Sequence, residues 1–148
     1  MYILKMKNFL LIFSLFFISM SFGQEFKAKS IFINNILESY KWNKRILLFI
    51  ANDRDVALIK EVNNFFITNK CKNEERNLEL LKIIKDNTKH IIIPNYYENK
   101  KGIWLIGYDG YIKAYTKDAS LLSKLHNLID NMPIREEELE RIKSNCLI

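Results

Sequence analysis

Residues 46–51 read Ile46-Leu47-Leu48-Phe49-Ile50-Ala51, with no polar interruption, between Arg45 and Asn52. A run this short, rich in branched side chains and bounded by polar residues, fits a central strand buried on both faces. No other segment limits the fold as tightly.

Hydrophobic spacing supplies the elements around it. Ile33, Ile36, Leu37 and Tyr40 recur at helical intervals, which predicts a short helix over 29–40. Residues 52–55 make a polar loop ending in Asp55, a helix-capping residue type. Leu58, Ile59, Val62, Phe65 and Phe66 form one stripe on a helix over 56–69. Leu78, Leu80 and residues 81–84 give a second strand, followed by a turn or short helical link over 86–90. Residues 91–93 are a short apolar piece that Pro94 ends or keeps at an edge, and 96–101 is polar and loop-like. Ile103-Trp104-Leu105-Ile106 is another buried strand. In Gly107-Tyr108-Asp109-Gly110 the Asp-Gly pair has the backbone freedom of a hairpin turn, and 111–115 is the return strand. A helix capped by Asp118 or Ser120 runs to Asp130, with Leu121, Leu122, Leu125, Leu128 and Ile129 on its apolar face. Asn131-Met132-Pro133 ends it, and a charged helix over 134–144 has Pro133 near its first turn. The alternation alone supports a generic α/β or α+β domain. A βαβ half joined to a ββα half is the thioredoxin-like arrangement: a central mixed sheet of about four strands flanked by helices.

The 148 residues, 49% hydrophobic, suit one domain. Residues 1–23 read as lying outside it. Lys5 and Lys7 precede an apolar stretch from Phe9 to Met20, and Ser21-Phe22-Gly23 puts small residues where a signal peptidase reads. That predicts a signal peptide cleaved before Gln24, with an uncleaved anchor as the alternative, and a mature domain over 24–148. The run is shorter than the roughly 20 apolar residues a membrane span needs. The expected location is therefore the periplasm or outside the cell, without stable membrane insertion after cleavage. An envelope or extracellular protein is the partner class that location implies. The formal charge is +6, mostly from lysines scattered among Asn and Glu. No dense basic stripe with interleaved aromatics is present, so no nucleic-acid partner is expected. The two cysteines, Cys71 and Cys146, leave two readings. An oxidising compartment permits a disulfide, but nothing in the spacing brings their Cα atoms within the roughly 4.4–6.8 Å a bridge needs. Two unpaired thiols are the favoured reading and a disulfide the alternative.

Three segments carry a family resemblance. They are Trp42-Asn43-Lys44-Arg45-Ile46-Leu47-Leu48-Phe49, Ile106-Gly107-Tyr108-Asp109-Gly110-Tyr111-Ile112-Lys113, and Ile129-Asp130-Asn131-Met132-Pro133-Ile134-Arg135-Glu136-Glu137-Glu138. In this order they resemble the bacterial domain-of-unknown-function family 4174, whose members carry a similar hairpin and a similar closing segment. Glu75-Arg76-Asn77-Leu78 is similar to that family's lead into the second strand, with Asn77 where Asp is usual. The resemblance covers the chain from about Trp42 onwards, and the closing segment is its most specific part. It implies a distant thioredoxin or peroxiredoxin relation, shared with domains of animal sushi-repeat and extracellular-matrix proteins. It implies fold and export, and no activity.

Thioredoxin-type chemistry needs a reactive Cys just after the first central strand, at a helix N-terminus whose dipole lowers its pKa. Ala51-Asn52-Asp53-Arg54-Asp55 occupies that place without a thiol, and Lys100-Lys101-Gly102 stands where thioredoxins put a proline. No catalytic residue is assigned. His90 and His126 lack a second ligand at i+3 or i+4, so no metal site and no cofactor are expected. Glu136, Glu137, Glu138 and Glu140 read as solvated carboxylates near a helix start. No Ser-His-Asp elbow or phosphate loop appears. Arg45, Arg76, Asp109, Asp130 and Arg135 remain as a candidate binding patch for a small anionic ligand or a partner. Against that stands the favoured structural reading, in which Asp130 and Arg135 pair or cap around the Met132-Pro133 turn and Asp109 shapes the hairpin. Trp42, Trp104, Tyr96 and Tyr97 are expected as core and rim aromatics. The sequence favours a non-catalytic binding or interaction module, with a redox-related antioxidant protein as the alternative.

Overall fold

In the computed structural model, which describes residues 30–85, 88, 90–141 and 146, the apolar run is the second strand, β2 (Arg45–Ala51), and it is buried along its whole length. The predicted signal peptide and its cleavage point lie outside the described residues. Before β2 come a short strand, β1 (Ile31–Phe32), and helix α1 (Ile33–Tyr40). After it come α2 (Val56–Thr68), α3 (Lys70–Glu75) and β3 (Leu78–Ile84). The next elements are β4 (Ile91–Ile92), α4 (Asn95–Glu98), β5 (Gly102–Ile106) and β6 (Ile112–Thr116). A 3₁₀ segment (Ala119–Lys124), α5 (Leu125–Asp130) and α6 (Pro133–Arg141) follow.

β2 pairs in parallel with β3 and antiparallel with β5, and β5 pairs antiparallel with β6, giving the order β3-β2-β5-β6. This mixed four-stranded sheet flanked by helices is the α/β architecture the element order predicts, and it is consistent with a thioredoxin-like fold. Strand side chains alternate between faces, so β2 feeds two cores. Leu47, Phe49 and Ala51 pack with Val62 of α2, Leu121 and Leu122 of the 3₁₀ segment, and Leu125 and Ile129 of α5. Ile46, Leu48 and Ile50 pack on the other face with Ile33 of α1, Ile83 and Trp104. Each fully buried side chain of this size is worth about 1.5–3 kcal/mol. The indole of Trp104 lies edge-on to Tyr97 at 5.6 Å and tilted against Tyr115 at 4.8 Å, whereas Trp42 and Tyr96 are exposed rim residues.

Several local expectations change. Ile31 and Phe32 leave the predicted helix and pair in parallel with β4, where the Ile31 N–H donates to the His90 carbonyl at 2.9 Å. Part of the expected loop after Pro94 is helical, because Pro94 at φ −61° is set for a turn and accepts the Tyr97 N–H at 2.9 Å. Asp55 does not cap α2 with its side chain. Its Oδ2 accepts the Asn52 N–H instead, at 2.9 Å. Asp118 does cap, accepting from the Ser120 N–H at 2.9 Å, but the helix it starts is 3₁₀ before it becomes α. Most of the 86–90 link and the far end of the last predicted helix lie outside the described residues.

The unpaired-thiol reading is corrected. Cys71 and Cys146 are joined in a disulfide, with Cα atoms 5.7 Å apart across 75 positions of sequence. The element responsible is α3, whose Lys-Cys-Lys-Asn-Glu-Glu sequence has no apolar periodicity to announce it. It folds back after Asn69, whose side chain donates to the Phe65 carbonyl of α2 at 3.0 Å, and it carries Cys71 to the other cysteine.

Candidate functional site

β2 begins between two residues in the left-handed region, Trp42 at φ 62° and Asn77 at φ 47°. Asparagine tolerates that conformation better than most residues. The Asn77 carbonyl accepts the Arg45 N–H at 2.9 Å, its side-chain amide donates to the Tyr108 hydroxyl at 2.8 Å, and the Trp42 N–H donates to the Tyr108 carbonyl at 2.8 Å. These bonds tie the hairpin turn to the amino end of the central strand.

Arg45 is fully buried there. Its Nη1 donates to the Arg76 carbonyl at 2.9 Å and to Glu138 Oε1 at 3.0 Å, and its guanidinium lies 4.1 Å from the Tyr108 ring centroid. Among the described residues Nε and Nη2 have no hydrogen-bond partner, so the ring face carries much of their compensation. A desolvated contact of this kind is worth about 2 kcal/mol. α6 brings a second buried arginine. Arg135 donates from Nε to Asp130 Oδ1 at 3.2 Å, and from Nη1 to the Glu75 carbonyl at 2.8 Å and Glu138 Oε2 at 3.1 Å. Arg76 Nη2 donates to Asp130 Oδ2 at 2.6 Å, and Nη1 donates to the Lys72 carbonyl at 2.9 Å. Arg45, Arg76, Asp130 and Arg135 therefore meet in one network. Asp109 does not join them. It accepts the Tyr111 N–H at 3.1 Å and pairs with Lys113 at 2.6 Å inside the hairpin.

Glu138, read from sequence as solvated, is the carboxylate between the two buried arginines. The i,i+3 spacing from Arg135 is the one local signal that could have singled it out. Burial pushes its carboxyl up, but hydrogen bonds from Arg45 and Tyr108 and the charge on Arg45 outweigh that and hold it below the usual range. Burial, with Glu138 as acceptor, pushes the Tyr108 hydroxyl up.

Beside this network, between the hairpin and the Met132-Pro133 turn, lies a cleft of about 510 Å³. Arg45, Tyr108, Asp109 and Lys113 line it on the sheet side, and Leu128, Met132, Pro133 and Ile134 on the helical side.

The opposite end of the sheet is different. Asp55 faces Lys101 at 3.5 Å, Lys101 exposed and Asp55 half-exposed, and the Asn52 N–H is the main reason its carboxyl sits low. The Tyr115 hydroxyl donates to the Lys101 carbonyl at 2.9 Å. Gly102 follows at φ 138°, where an added Cβ would fall 2.1 Å from the Thr116 carbonyl oxygen. A second cleft of about 460 Å³ opens here, lined by Asp55, Lys100, Lys101, Tyr115 and Lys117 among others. His126 lies elsewhere, its Nε2 2.8 Å from Asn73 Oδ1 and its ring against Phe65, and burial holds its pKa down. Among the described residues, Cys71, Glu75 and Cys146 place donor atoms within 4.8 Å of one another, but both sulfurs are committed to the disulfide. No helix among the described residues is long and apolar enough to cross a membrane.

Residues 36–138 match a family described as Domain of unknown function (DUF4174). No curated protein and no solved structure matches the chain.

Proposed function

The chain belongs to the DUF4174 family, and from that premise we propose that it is an exported binding or interaction module without catalysis of its own, its ligand seated in the cleft between the hairpin and the Met132-Pro133 turn. The observation that carries this is the disposition of the cysteines. Both are committed to one disulfide beside the amino end of β3. The place where thioredoxin-type chemistry needs a thiolate, after β2, holds Asp55 and Lys101 instead. A disulfide also favours an oxidising compartment, the periplasm or the cell exterior.

The cleft suggests what it takes. Leu128 and Ile134 are partly exposed apolar side chains on one wall, and on the other Lys113, paired with Asp109 but 37% exposed, presents an ammonium group. A ligand with an apolar group next to a carboxylate satisfies both, and an acidic segment of an envelope or extracellular protein offers that chemistry. N-acetylated apolar amino acids are the simplest probes. Titrated into the oxidised protein, they should shift the amide resonances of Gly107, Lys113 and Ile134. Ile134→Asp, at a position 41% exposed, should leave the fold intact and abolish the shifts. Shifts confined to the Lys101 cleft, or none, would remove the proposed site. Insulin reduction or peroxide consumption that disappears with Cys71→Ser or Cys146→Ser would favour the antioxidant reading over this one.

A further inference from the structure

α6 is attached to the domain with little help from the hydrophobic effect. Its buried residue is Arg135, while Ile134 is 41% and Leu139 54% exposed. Polar contacts hold it: Arg135 to Asp130 and to the Glu75 carbonyl, and Glu138 to Arg45. Contacts of this kind are strong only while they stay desolvated. The other restraint is covalent. Beyond α6, Cys146 is bonded to Cys71 of α3, and its N–H donates to Glu75 Oε1 at 3.1 Å. α3 thus receives both the helix, through the Glu75 carbonyl, and the segment beyond it, through Cys71 and the Glu75 carboxylate.

The two sulfur-bearing residues differ in access. Cys71 is exposed, between Lys70 and Lys72, and Cys146 is half-buried. Disulfides open by thiolate attack on a sulfur that can be reached. Lys70 is paired with Glu74 at 3.8 Å and the Glu75 carboxylate lies within 4.8 Å of both sulfurs, so access rather than charge directs the attack to Cys71.

We infer that the Cys71–Cys146 bond is a thiol-exchange site, attacked at Cys71 by an external thiol, and that opening it releases α6. An incoming thiolate forms a new S–S bond to Cys71 as the bond to Cys146 breaks. The electron pair leaves on the Cys146 sulfur, which takes a proton from solvent. A second thiol displaces Cys71 from the mixed disulfide in the same way. Two external thiols are thereby oxidised to one disulfide, and the two cysteines are reduced. The reductant is a small-molecule or protein thiol. Once the covalent tie is gone, water reaches the polar contacts of α6, Arg135 and Glu138 withdraw, and Arg45 keeps the Arg76 carbonyl and the Tyr108 ring. Met132, Pro133 and Ile134 form one wall of the ligand cleft, so the same event dismantles that wall. This last consequence rests on the function proposed above; the exchange and the release do not.

The test uses the oxidised protein under native conditions. Incubation with excess glutathione, acid quenching and peptide mapping by mass spectrometry should place the mixed disulfide on Cys71. Hydrogen exchange after reduction with a phosphine should show protection across Pro133–Arg141 falling to within about tenfold of an unstructured chain, while β2 stays protected and loses only what the lowered global stability removes. An adduct on Cys146, exchange that requires denaturant, or unchanged protection in α6 would overturn the inference. The Cys71→Ser/Cys146→Ser variant should show the reduced pattern without any reductant. A fall of β2 protection to the same unstructured level as the last helix in that variant would mean the bond holds the whole sheet, which also overturns a local release. Titration of N-acetylated amino acids into the oxidised protein reads the cleft alone, so failure of the ligand site and failure of the exchange site are distinguishable.

Discussion

The two ends of the central strand are built on different terms. Where β2 begins, Arg45, Glu75, Arg76, Asp130, Arg135 and Glu138 share contacts of 2.6–3.2 Å, with both ends of the Arg45–Glu138 pair largely shielded from water. Where β2 ends, the charged groups stand in solvent, and Asp55 meets Lys101 at 3.5 Å. In open α/β sheets ligands usually lie beyond the carboxyl ends of the strands. This chain concentrates its charges at the amino end of β2, where they do the cohesive work that apolar residues do for the other helices. Buried ion pairs add little net stability over an apolar alternative but cost a great deal when one partner is removed. The two ends should therefore respond unequally to the same kind of damage.

The largest expected effect is loss of the cross-link. Replacing both cysteines by serine frees a loop of 75 positions and should lower stability by about 4 kcal/mol, read from the urea midpoint. A loss below about 1 kcal/mol would mean that the charged network holds the amino end unaided. Glu138→Gln comes next. It leaves Arg45 buried without its carboxylate and Arg135 with Asp130 alone, and should cost about 3 kcal/mol in thermal unfolding. The same group sets an acid dependence. Its carboxyl is held below the ordinary 4.5 in the folded protein, so its stabilisation is fully present above that value and is lost as pH falls through the folded pKa. Denaturation midpoints should begin to drop as pH falls below about 5, and the drop should be shallower in Glu138→Gln. Equal slopes would assign the acid sensitivity to other carboxylates. The smallest effect belongs to the far end. Asp55→Asn should cost less than about 1 kcal/mol, as exposed pairs do. A cost matching that of Glu138→Gln would erase the contrast between the ends.

What could be read from sequence was what local pattern carries. The apolar run of β2, the stripe of α2 and the Asp-Gly turn appear with the predicted type and nearly the predicted limits, because burial and backbone freedom leave their mark within a few residues. The charged network was half legible. Arg45, Arg76, Asp130 and Arg135 stood out through the segments that resemble the family, but Glu138 did not, since its partner Arg45 is 93 positions away. The disulfide was hidden for the same reason, compounded by a helix of polar residues that no periodicity reveals. The missing cap on α2 is a matter of backbone: Asp55 at φ −80°, ψ 43° lies outside the extended region of a capping residue, and its carboxylate accepts the Asn52 N–H instead.

The position of Cys146 also has a consequence for timing. It follows every strand and helix described, while Cys71 precedes β3, β5 and β6. During synthesis the bond cannot close until all of those strands have emerged. Strand pairing can therefore begin while both thiols are still free, with the non-local β2–β5 pairing as a slow step. Until Cys146 emerges, Cys71 has no partner within the chain, and a thiol oxidised that early could couple only to a foreign one.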